Sequence, residues 1–166
     1  MEIWPQILFG GVVAGILAQV ISGRLSRSVK ISEFRQKWID SLRDDVAAYI
    51  GATHKWVRKY EEINAIVAFE EKSKKEREEF LPLQNDALVI LSRIKLRINP
   101  LKNRYKKEDD AFLRALDKLL DLGKLEPSET PTIEVGWRKG ADDAIELARK
   151  ILKREWEVTK QPGQWL

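Results

Sequence analysis

The chain contains no cysteine and a single histidine, His54. The first absence excludes a disulfide framework, a Cys-ligated zinc site and a thiol nucleophile. The second leaves any zinc site dependent on carboxylates for most of its ligands, an uncommon donor set. Gly51 stands three residues before His54, so the Glu-x-x-His pair of di-metal bundles is missing as well. No Asn-x-Ser/Thr acceptor, P-loop, GxSxG, HExxH or EF-hand spacing occurs. No stretch alternates apolar and polar residues long enough to read as a strand. One-signed charge is also lacking. Thirty Lys and Arg stand against 26 Asp and Glu, a net +4, too even to mark a nucleic-acid binder.

Acidic pairs remain as candidate chemistry, among them Asp44-Asp45, Glu61-Glu62, Asp109-Asp110 and Asp142-Asp143. Neighbours on a helix point about 100° apart, so each pair is poorly placed for shared acid–base work. Solvated faces and helix N-termini account for them, because negative charge favours the N-terminal end of the helix dipole. No catalytic residue, cofactor or metal is expected, and the chain is read as a non-enzyme.

What the sequence does hold is an apolar N-terminus. Trp4 to Gly23, WPQILFGGVVAGILAQVISG, contains no Asp, Glu, Lys or Arg. As a helix it measures roughly 30 Å, the thickness of a bilayer's hydrocarbon core. A signal peptide wants positive charge before its apolar run, whereas here Arg24, Arg27 and Lys30 follow it. A buried core helix is usually shorter or carries a polar face. The expectation is a transmembrane helix over 4–23, preceded by a short outer N-terminus at 1–3. The flanking positives then place the N-terminus outside and the remainder in the cytoplasm, at the inner membrane. Trp4 falls at the outer edge, where aromatic rings are favoured.

Small residues stripe this segment. Gly11, Gly15, Ala18 and Ser22 share one helix face, which lets two backbones approach in lipid. Gln19 supplies an amide for an interhelical hydrogen bond. Self-association through this face is one reading; the other is that glycine is simply common in membrane helices. Residues 24–31 read as a basic juxtamembrane segment. Arg24, Arg27 and Lys30 there either touch anionic headgroups, at about 1 kcal/mol each, or serve only to set topology.

The rest, 32–160, reads as an all-α cytoplasmic domain, with an irregular tail at 161–166. A long helix is expected from Ser32, as N-cap, to Glu70. Leu42, Val46, Tyr49, Thr53, Trp56, Tyr60, Ile63 and Val67 step by four and three, a 3.5-residue period. Ile31, Phe34 and Trp38 join with one stutter. Trp and Tyr are bulky for a two-stranded seam, so packing within the chain, as a coiled-coil-like antiparallel bundle, is favoured over packing between copies. Pro82 interrupts the pattern, and helix resumes near Asn85. Asn99-Pro100 ends that helix. A basic loop follows, with Lys102, Arg104, Lys106 and Lys107. If successive helices run antiparallel, the loop returns toward the membrane, where it contacts lipid headgroups or stays solvated. Asp109 or Asp110 caps a third helix and Gly123 closes it. Pro131 stands near the start of the last helix, with regular structure from about Ala141, after Gly136 and Gly140. Trp38, Trp56 and Trp156 fall on apolar stripes and read as core.

ISEFRQKWIDSLRDDVAAYI after the apolar run, INPLKNRYKKEDDAFLRALDKLL in the middle and ILKREWEVTK near the C-terminus resemble small single-span helical membrane proteins of bacteria and their phages. The resemblance covers most of the chain and implies the architecture and a prokaryotic setting. It carries no activity, cofactor or site residue. The composite expectation is a membrane-tethered helical scaffold or adaptor, its partners being lipid and either a second copy or another protein. The alternative is a membrane-acting effector, such as a phage-defence component, whose assembly perturbs the bilayer.

Overall fold

The computed structural model describes residues 4–98, 105–125 and 132–160, with the side chains of residues 4–18, 20, 21, 24, 25, 27 and 28 excepted. Among the described residues every regular element is helical. In chain order these are α1 (Trp4–Asn64), α2 (Phe69–Lys75), a π-helical turn (Glu76–Phe80), α3 (Leu81–Arg97), α4 (Lys106–Lys118), α5 (Leu122–Leu125) and α6 (Ile133–Thr159).

The 3.5-residue seam builds the core. Leu42, Val46, Tyr49, Thr53, Trp56 and Ile63 are buried and Tyr60 is half-buried, all on one side of α1. That side faces α3 and α6, and α4 packs on α6. The seam therefore closes within the chain. Lys59 meets Glu79 while Asp45 meets Arg97, so α3 runs antiparallel to α1. Thr53 meets Trp137 while Arg35 meets Glu155, so α6 is antiparallel to α1 too. Phe112, Leu116, Leu119 and Leu125 complete the interior with Ile133, Trp137, Ala144, Ala148 and Ile151. Each fully buried aliphatic or aromatic side chain contributes about 1.5–3 kcal/mol against the entropy of ordering the chain.

Several expectations are corrected. Ser32 caps nothing, because α1 is continuous from Trp4 to Asn64, about 90 Å. The stutter is resolved by Ile39, which is buried and lies three residues before Leu42, while Trp38 is only half-buried. Val67 leaves the seam: it is 99% exposed in the turn after Asn64. Helix does not wait for Asn85. It passes through Pro82, which sits in the first turn of α3 just after the π turn. The wider turn is where a ring without an N–H, clashing with the carbonyl four residues back, is accommodated.

Helix α4 begins at Lys106, not at an aspartate cap, and Asp109 is buried inside its first turn. Gly123 belongs to α5 and is not a left-handed cap, since no glycine among the described residues has positive φ. Helix α6 starts at Ile133, capped by Thr132, whose hydroxyl accepts from Val135 N–H at 3.3 Å. Gly136 and Gly140 do not delay it; both are buried in α6. A Cβ on Gly140 would lie 3.0 Å from Leu119 Cδ2, so this glycine sets how closely α6 meets the end of α4. Trp156 is exposed rather than core. Pro131, Pro100 and the tail at 161–166 lie outside the described residues.

Among the described residues, no helix is long and apolar enough to cross a membrane. The expected span at 4–23 falls on the part of α1 whose side chains, apart from Gln19, Ser22 and Gly23, are outside the description.

Candidate membrane-facing end

Cross-helix ion pairs define one end of the bundle. Arg154 on α6 reaches Asp109 (3.0 Å) and Glu108 (3.3 Å) at the start of α4 and Glu155 (3.1 Å) on its own helix. Its guanidinium also covers the Tyr105 ring at 4.3 Å. Arg35 of α1 lies 4.0 Å from Glu155. These contacts bring the C-terminus of α6 and the N-terminus of α4 to the level of Arg35, the end of the bundle from which α1 runs on toward Trp4. The first buried residue of α1 among those described is Ile39. Ile31 and Phe34 still line a groove with Trp38 and Glu155, so residues 4–30 project, by about 40 Å.

The charged residues named from sequence distribute as follows. Lys106 and Lys107 are exposed at this same end, and Lys160 follows α6 there, its ammonium 5.1 Å from the Trp156 ring centre. Lys30 is exposed on the projecting part of α1. Lys102 and Arg104 lie outside the described residues, and for Arg24 and Arg27 only the helical backbone is described. Gly11, Gly15 and Ala18 are likewise known only as backbone of α1; Ser22 is exposed. Phe34, Ile31 and Val29 are exposed between the bundle and the apolar segment.

The members of an acidic pair differ in burial in three of the four pairs. Asp44 is exposed while Asp45 is buried, held by Arg93 (3.1 Å) and Arg97 (2.8 Å) of α3. Asp109 is buried and Asp110 half-buried. Asp142 and Asp143 are both exposed. With Glu61, whose Oε1 accepts from Glu134 N–H of α6 at 3.3 Å, three of these eight carboxylates tie helices together, which solvated faces and caps alone did not anticipate. The signal was the apolar spacing around them: Asp45 directly precedes seam residue Val46. No group of three or more His, Cys, Asp or Glu side chains among the described residues is arranged to hold a metal ion.

The polar groups of the interior are structural. Tyr49 O–H donates to Leu116 C=O at 2.9 Å, and burial, followed by nearby Asp117, holds its phenol far above the ordinary range. Thr53 O–H donates to the carbonyls of Tyr49 and Ile50, both at 3.1 Å, and accepts from Trp137 Nε1–H at 3.2 Å. Together these link α1, α4 and α6 through one polar chain. His54 stacks on Trp137, with ring centres 4.6 Å apart, and stands 3.9 Å from Glu134. It is a packing histidine at the α1–α6 contact.

Fold and surface together define an all-α antiparallel bundle carried on one long projecting helix. No protein-family model, curated protein or solved structure matches the chain.

Proposed function

We propose that the protein is a non-enzymatic helical scaffold tethered to the inner membrane by residues 4–23, with the N-terminus outside and the bundle in the cytoplasm. One observation carries the reading. The uncharged apolar end of α1 and the basic Lys106-Lys107 end of α4 lie toward the same end of the molecule. A bilayer there receives an apolar segment of spanning length and meets Arg24, Arg27 and Lys30, then Lys106 and Lys107, at its anionic surface. The Gly11, Gly15, Ala18 and Ser22 face is the contact through which copies associate side by side.

Flotation of the full chain with vesicles of mixed neutral and anionic lipid tests this. The protein is expected to float, to resist carbonate extraction, and to lose lateral cross-linking on Gly11→Ile with Gly15→Ile. Recovery in the soluble fraction without detergent overturns the tether. Overexpression is expected to leave the membrane potential intact; depolarisation abolished by the same two substitutions would favour a bilayer-perturbing effector instead.

A further inference from the structure

Helix α3 is apolar on two sides. Its inner face carries the buried Ala87, Leu91 and Ile94. Its outer face presents Leu81, Asn85, Leu88, Val89, Ser92 and Leu96, a stripe about 22 Å long with no charge, in a chain in which 34% of residues are charged. The four aliphatic side chains are 43%, 44%, 62% and 86% exposed in that order. A helix apolar around most of its circumference is normally covered on both sides.

We infer that this stripe is a two-fold interface between copies of the chain, with the two α3 helices antiparallel. The spacing supports it. An antiparallel pair centred between Leu88 and Val89 sets Leu81 opposite Leu96, Asn85 opposite Ser92, and Leu88 opposite Val89. All six positions map onto one another, which is the self-complementarity an isologous contact requires. Charge agrees in sense. Glu76, Glu78 and Glu79 outnumber Arg77 before the N-terminal end of the stripe, and Arg93, Lys95 and Arg97 stand near its C-terminal end. Antiparallel pairing brings acid to base, whereas parallel pairing sets like against like. Lys95 is already turned to Asp117 (2.7 Å) and Arg93 to Asp45 (3.1 Å), so neither must be stripped of its partner to flank the contact.

The apolar area is modest. The four side chains expose on the order of 400 Å² per copy, about 800 Å² for the pair, so the contact belongs with weak, reversible interfaces. Because α3 is antiparallel to α1, the two projecting N-terminal helices leave the pair in opposing directions. This contact therefore joins chains from facing surfaces, and it differs from the lateral association proposed through Gly11 and Gly15.

The absence of native cysteine gives a clean test. Full-length Asn85→Cys and Ser92→Cys proteins, one of them isotopically labelled, are mixed in detergent micelles, oxidised and weighed by mass spectrometry. The mixed 85–92 disulfide is expected to exceed either like-with-like product severalfold. Leu88→Asp, at an exposed site and with its fold checked by circular dichroism, is expected to weaken pairing more than tenfold. A mixed product no more than about twice either like-with-like one, the ratio of random pairing of equal amounts, overturns the antiparallel pair, and so does indifference to Leu88→Asp. The result is read in micelles whether or not residues 4–23 span a bilayer, so a failed flotation and a failed cross-link are separate outcomes.

Discussion

Replacing Thr53 with valine tests the polar chain that joins α1 to α4 and α6. The two side chains have nearly the same shape, so no cavity opens and the β-branched stiffness in the helix is kept. The change falls on hydrogen bonding alone. Thr53 is fully buried and Trp137 is 7% exposed. Removing Oγ1 leaves the Trp137 indole N–H buried without its acceptor, at about 1–3 kcal/mol. The carbonyls of Tyr49 and Ile50 lose little, because both lie within the ladder of α1. A net loss of about 1–2 kcal/mol is expected in urea unfolding of the full chain in mild detergent, followed by far-ultraviolet circular dichroism and tryptophan fluorescence. Trp137→Phe removes the donor and supplies the control. In that background Thr53→Val is expected to cost about 1 kcal/mol less than in the native chain. Equal costs in the two backgrounds, agreeing within about 0.5 kcal/mol, would refute the bond.

Two further outcomes follow from the same structure. Gly51 lies inside α1 with open space around its Cβ position, so Gly51→Ala is expected to stabilise the chain by about 0.5–1 kcal/mol in the same titration; a loss would mean the helix is not continuous there. Glu62 and Glu79 are held below the ordinary carboxylate value by hydrogen bonds from Lys59, and Glu134 by one from Arg138. Folded values depressed below 4.5 give stability that is present above that pH and is lost as pH falls through the folded values. Stability is therefore expected to be insensitive to these groups between pH 7 and 5 and to decline below 4.5. Charge-neutral glutamine variants that remove a loss seen above pH 5 would contradict this.

The bundle was legible in the sequence wherever periodicity carried it. The step of four and three from Leu42 to Ile63 located the buried side of α1, because burial in a helix pair imposes that spacing. Its end was not legible: INAIVAF contains no glycine or proline, yet α1 stops at Asn64 and Val67 faces solvent. That turn is set by where α3 must return, which is tertiary information. Pro82, Gly136 and Gly140 misled in the opposite direction. Each was read as a local breaker, and each sits inside or beside regular helix, because a π turn receives the proline and close packing uses the glycines. Of the candidate surface, the basic residues were readable one by one. Their gathering at one end was readable only as a consequence of antiparallel order. The outer stripe of α3 was not legible, because only the fold separates the covered Leu91 from the exposed Leu88.

The uninterrupted backbone from Trp4 to Asn64 works as a rigid shaft. Its azimuth is counted in residues: lengthening it by one between Gly23 and Trp38 turns the bundle by about 100° relative to the apolar segment, and seven more nearly restore the original heading. Under the proposed tether, which flank of the bundle looks sideways along the membrane is thus written into the number of residues between two sites that never touch.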